Sequence, residues 1–200
     1  MKLTLRLSGR QHAELQRHLL QDENEAVALI LCGRREREGA PILIGHKVVP
    51  VPVESCLLRT PDYIHWHTET VLPALELAAR EGLSVVKIHS HPGGYAHFSR
   101  TDDDSDRELF PSLYGWIDVP HASAIMLPGG RIMGRHVNER GRFTVMKRVS
   151  VAGDDILIWD AQDSDAPIPE SGDRHAKAFG AVTTRKLSTL RVAVVGCSGT

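Results

Sequence analysis

Lys87 to Asp104 reads KIHSHPGGYAHFSRTDDD: an apolar segment ends in two histidines one residue apart, then a Pro-Gly-Gly break, a serine and a run of aspartates. Side chains at i and i+2 of a strand share a face, so His89 and His91 project together and can share one cation. Zinc held this way needs at least one further protein ligand and, for catalysis, an open fourth position. The glycines let the chain double back. Asp102, three residues beyond Ser99 at the start of an expected helix, can then bring a carboxylate oxygen to the pair. Each residue also has a plainer reading. Ser99-x-x-Asp102 is close to a helix-capping box, and Asp103, Asp104 and Asp106 suit the positive end of a helix dipole. A strand-end histidine is more often hydrogen-bonded than metal-bound. Taken jointly, the aligned pair, the glycine turn, the serine and the aspartate favour a metal centre.

The surrounding pattern supplies elements to position these groups. KLTLRLS alternates Leu3, Leu5 and Leu7, the period of a half-buried strand. GRQHAELQRHLLQD has helical spacing at Leu15, Leu19 and Leu20. EAVALILCG is a near-continuous apolar run, expected as a central strand covered on both faces and followed by an exposed turn at Gly33 and RREREG. APILIGHKVVPVP predicts a strand ended by prolines. TETVLPALELAAREG predicts a helix with Pro73 in its first turn and Gly82 as its stop. LSVVKIHSH is a strand, SRTDDDSDRELFPSL opens a helix, HASAIMLPGGRIMGR is two strands, and GRFTVMKRVSV is a last strand.

Composition narrows the function. The chain has 200 residues, 24 Lys plus Arg against 25 Asp plus Glu, and 11 histidines. The near-zero charge offers no general attraction to nucleic acid or to an anionic membrane. No apolar run approaches the roughly 20 residues of a membrane span, and the N-terminus does not read as a signal peptide. Three scattered cysteines, Cys32, Cys56 and Cys197, argue against a disulfide framework and fit a reducing cytoplasm. A second H-x-H, His65-Trp66-His67, has no Ser or Asp at comparable spacing and reads as structural or surface. His97 reads as a solvent-facing loop residue, and Trp66 as rim or core packing.

His89-x-His91, seven residues, Ser99, two residues, Asp102, with Pro92 after the second histidine, resembles the signature of the JAMM (MPN-plus) metalloproteases. EAVALILCG resembles the family's upstream glutamate context through Glu25, Ala28 and Gly33, with Glu23 as the alternative glutamate. The resemblance extends over about residues 1–150 in element order. It implies an α/β, cytidine-deaminase-like fold, a mixed curved sheet flanked by helices. It also implies that His89, His91 and Asp102 hold zinc, that Glu25 moves the proton of the attacking water to the leaving amine, and that Ser99 donates a hydrogen bond to the water or to the developing oxyanion.

From about Gly153 the composition turns to Asp, Pro, Ser and Gly, expected as a linker over 153–172 after a domain of residues 1–152. LRVAVVGCSGT closes the chain as an apolar strand entering a glycine loop. With the preceding AFG and KLSTL, it resembles the start of a ThiF-like, ubiquitin-activating-type adenylyltransferase over 173–200, a Rossmann-like edge with Gly196 and Gly199 in the nucleotide loop. ATP and magnesium are expected only for the remainder of that domain, beyond residue 200. The pairing implies a zinc isopeptidase that processes or deconjugates a ubiquitin-like protein, working alongside a conjugating enzyme. A non-catalytic module that docks such a protein, and a nucleic-acid-associated role, are the rival readings.

Overall fold

The structure is a computed structural model and describes residues 2–36 and 40–161. The residues expected as an adenylyltransferase edge, including Gly196, Cys197 and Gly199, lie outside the described residues.

Strand β1 (Thr4–Ser8) runs into helix α1 (Gly9–Leu19), whose first turn is closed by a capping box between Ser8 and Gln11. β2 (Val27–Arg35) and β3 (Ile42–Pro50) follow as an antiparallel pair, so β2 continues past Gly33 where a turn was expected. A short hairpin, β4 (Cys56–Thr60) and β5 (Tyr63–Trp66), stands apart from the main sheet. Helix α2 (Leu72–Glu81) ends on Gly82, whose left-handed φ of 61° suits a residue without a side chain. β6 (Ser84–Ser90), α3 (Arg100–Trp116), β7 (His121–Met126) and β8 (Ile132–Val137) match the expected strand, helix and strand pair.

The expected last strand is two. β9 (Phe143–Val145) pairs with β8, and β10 (Arg148–Ala152) pairs with β1. A further strand, β11 (Ile156–Asp160), occupies residues expected as linker and pairs antiparallel with β10. Arg148 clips it in place with two hydrogen bonds to Asp160, of 2.6 and 2.8 Å.

The sheet order is β11-β10-β1-β3-β2-β6-β7-β8-β9. Only Met146 and Lys147 separate β9 from β10, yet these strands lie toward opposite edges. The sheet therefore curls until its ends approach, and Lys147 N–H reaches the carbonyl of Leu3 at 2.7 Å. The fold is thus mixed α/β on a curved sheet. Alternation along the strands sorts the core into two layers. Ala28, Ile30, Cys32, Val86 and Ile88 face Leu15 and Leu19 of α1. Val27, Leu29, Leu31 and Val85 face Leu75 and Ala78 of α2 and Phe110 and Leu113 of α3. Burying each such Leu or Phe contributes about 1.5–3 kcal/mol. The register that puts Val85 in the second layer carries Lys87 and His89 to that same face, between the sheet and α3.

Candidate metal centre

His89 is the penultimate residue of β6, and His91 follows just beyond its end. Ser90 between them points the other way. Its hydroxyl accepts from Ala26 N–H at 2.9 Å, and its own N–H donates to the Ala26 carbonyl at 3.0 Å, which ties the residue after Glu25 to the histidine pair. Asp102 arrives on the first turn of α3. Ser99 is the helix N-cap, and the capping box is formed in full: Asp102 N–H donates to Ser99 Oγ at 3.1 Å, and Ser99 N–H donates to Asp102 Oδ2 at 2.6 Å. The cap thus fixes the carboxylate and leaves Oδ1 facing His89.

The Nε2 atoms of His89 and His91 are 3.1 Å apart. Asp102 Oδ1 lies 3.0 Å from the first, and Oδ2 lies 3.5 Å from the second. Glu25 Oε1 is 3.8 Å from His91 Nε2. Glu25, His89 and His91 are all nearly excluded from solvent. Glu23, the alternative glutamate, is exposed and takes no part.

The donor chemistry fits a cation. His91 Nδ1 contacts the Tyr95 carbonyl at 2.8 Å, and a carbonyl only accepts, so Nδ1 carries the proton and Nε2 presents a lone pair. Burial lowers the basicity of His89, against the pull of Asp102, which favours a neutral ring. Burial also opposes a charge on His91, but the Asp102 hydrogen bond, the Tyr95 carbonyl and the nearby carboxylates outweigh it and raise its pKa. Burial would raise the Asp102 carboxyl too, yet hydrogen bonds from His89 and His91 hold it well below the usual range. Glu25 is pushed up to about 7 by burial, with Asp102 reinforcing the shift and His91 countering it. Two imidazoles turned nitrogen to nitrogen between the buried Glu25 and the partly buried Asp102 form a cage short of positive charge. Tetrahedral zinc with ligand bonds near 2.0–2.1 Å spaces its ligand atoms by about 3.3 Å. The 3.1 Å between the two Nε2 atoms and the 3.0 Å from His89 to Asp102 Oδ1 come near that spacing, while His91 faces the other carboxylate oxygen, Oδ2, at 3.5 Å. Glu25 also lies within 4.8 Å of both histidines, so Glu25, His89 and His91 meet the spacing of a metal-binding trio as well.

Residues 7–143 match the prokaryotic homologs of the JAB domain. The chain belongs to that family. Among solved structures, the JAB domain resembles the solution structure of protein DSY2949 from Desulfitobacterium hafniense, at 20% identity and a TM-score of 0.52, over 75% of this chain and 94% of that one. That likeness concerns the fold. No curated protein matches.

The JAB domain opens the centre onto a cleft of about 550 Å³ between α3 and the β4–β5 hairpin. Glu25, His89 and Asp102 line it together with Tyr63, His65, Trp66, Ser105 and Leu109. His65 is exposed, His67 sits 3.7 Å from Glu69, and His97 is exposed in the loop before Ser99. Trp66 both packs on the core and lines the cleft. Cys32 is a buried thiol whose pKa burial raises, and Cys56 is free and half-buried. No described helix is long and apolar enough to cross a membrane.

Sequence reasoning missed the hairpin and two charged residues. Lys87 lies on the cleft floor, paired with Asp106, and Arg59 of β4 grips the loop that carries Glu25. Lys87 had a signal, since it stands two residues before His89 on the same strand face.

Proposed function

We propose that the protein is a zinc-dependent peptidase or isopeptidase that cuts at the C-terminus of a ubiquitin-like protein, either to mature its precursor or to release it from a conjugate. His89, His91 and Asp102 hold the metal, and Glu25 is the general base. The observation that carries the reading is the cluster of two histidine Nε2 atoms 3.1 Å apart, each facing one oxygen of the Asp102 carboxylate at 3.0 and 3.5 Å, with a buried glutamate alongside and a cleft lined by His89, Asp102 and Glu25.

Zinc, when bound, supplies Lewis acidity and lowers the pKa of water from about 15.7 to about 7. The chain supplies the rest. Glu25 takes the proton of the attacking water and passes it to the leaving amine, a task suited to a carboxylate whose pKa is near 7. Ser99 spends its hydroxyl lone pair on the cap and keeps its O–H, which is free to stabilise charge developing on the substrate oxygen. The cleft of about 550 Å³ between α3 and β5 is too small for a folded protein and has room for a short peptide segment, which supports a C-terminal tail as the substrate. The reducing setting expected from the cysteines and the activating-type domain expected from residue 173 onward belong to the same proposal.

The test is a panel of ubiquitin-like proteins extended at their C-terminal glycine by a reporter peptide, followed by intact mass. Cleavage at the glycine, lost with a chelator and restored by zinc, supports the reading. Undiminished cleavage in a zinc-free sample contradicts it.

A further inference from the structure

Glu25 lies outside any strand. β2 begins at Val27, so the proposed base rides on the loop that leaves α1. A loop residue holds a catalytic position only when other elements pin it. One side of the loop is pinned by Ser90, as described. The other side is pinned by the β4–β5 hairpin, which is not part of the main sheet. Glu25 N–H donates to the Thr60 carbonyl at 2.8 Å. Arg59 Nε donates to the Glu25 carbonyl at 2.7 Å, and one terminal nitrogen reaches the Asn24 carbonyl at 3.3 Å. The two terminal nitrogens also meet Asp22, at 3.2 and 2.9 Å, which fixes the plane of the guanidinium. The Arg59 side chain is only 13% exposed. Its antiparallel neighbour across the hairpin is Ile64, on the strand that walls the cleft.

We infer that Arg59 is a positioning residue: it ties the peptide unit of Glu25 to the wall of the cleft, so that the base is held in register with whatever lies along β5. The inference rests on the hydrolase reading for its catalytic consequence, while the clamp itself is a property of the chain. Five hydrogen bonds converge on Asp22, Asn24 and Glu25 from two adjacent hairpin residues, one of them a rigid planar donor. Asp22 orients Arg59 without touching Glu25, so it should matter in the same direction and to a smaller degree.

The test uses the full chain carrying Arg59→Leu or Asp22→Asn, loaded with zinc and assayed on a cleaved reporter fusion, together with amide exchange by NMR. Arg59→Leu is expected to lower kcat roughly ten- to a hundredfold with KM within about twofold, and Asp22→Asn to lower kcat less. Zinc content should equal wild type. The Glu25 amide should exchange faster in Arg59→Leu, with or without zinc, while β3 amides keep their rates. A wild-type kcat, a change in KM alone, or faster exchange at β3 and Glu25 together overturns the positioning role. If the wild-type chain cuts no fusion, the hydrolase reading fails, and the Glu25 exchange rate alone decides whether the clamp exists.

Discussion

Glu25 has to be charged to take a proton, yet it sits where charge is disfavoured. Burial pushes its pKa to about 7, and the positive side of its surroundings, His91 and then Lys87, draws it back, as a bound dication would. The rate should therefore rise with pH along an acid limb set by Glu25, at or below pH about 7, and a kcat/KM profile would read it. Glu25→Gln should lower kcat by at least about a hundredfold without loss of zinc, since the base holds no ligand position in this account. Equal losses of zinc and rate would instead make Glu25 a ligand. Ser99 and Asp102 act as one unit. Ser99→Ala removes the hydroxyl half of the cap and should cost about 1 kcal/mol in a denaturant titration, with zinc content unchanged because the residue 99 backbone N–H still holds Asp102 Oδ2.

At the scale of elements, α3 is held over the site by a buried ionic cluster. Arg135 of β8 meets Asp106 through Nε and a terminal nitrogen at 3.2 and 2.7 Å, and also pairs with Asp103, while Lys87 of β6 pairs with Asp106 from the sheet. The Arg135 guanidinium lies 3.8 Å from the ring centres of both Phe98 and Phe143. The cluster links the strand of His89 to the helix of Asp102. Asp106→Asn leaves Lys87 and Arg135 with half their compensation and should cost about 3–5 kcal/mol in a denaturant titration. His121 of β7 is a second buried support: Nδ1 accepts from Val85 N–H at 3.0 Å, and Nε2 donates to the Ile117 carbonyl at 2.9 Å. Burial lowers its pKa to about 4, so the folded chain keeps it neutral while the unfolded chain protonates near 6.5. Its contribution is full above pH about 6.5, falls between about 6.5 and 4, and amounts to about 3 kcal/mol at most. Unfolding followed from pH 7 to 4 should show this loss, and His121→Gln should flatten it.

At the scale of the molecule, one curled sheet brings a strand end, a helix start and a loop glutamate to a single point. The strand and helix were legible because each carries a strong local signal: the His pair ends an apolar run, and Ser99-x-x-Asp102 reads as a helix cap. The resemblance of EAVALILCG to the family's glutamate context pointed to Glu25, with Glu23 as the alternative, and the buried residue of the two is Glu25. The hairpin from Cys56 to Trp66 was not legible, because its short half-exposed strands show no sustained alternation. β11 was hidden because ILIWD lies among aspartates and owes its place to β10 and the Arg148–Asp160 pair, a partnership no local window contains. The Arg59 clamp is a contact across 34 residues and leaves no periodic trace. Because the cage exists only in the folded chain, zinc at a hundred times its Kd should stabilise the protein by about 2.7 kcal/mol, read as a rise in Tm that the Asp102→Asn variant lacks. The most direct measurement pairs zinc content with intact-mass cleavage of reporter fusions, for wild type and Glu25→Gln in parallel. The account predicts one zinc per chain in both and cleavage after the C-terminal glycine by wild type alone. Cleavage by both proteins, or by wild type stripped of zinc, would contradict it.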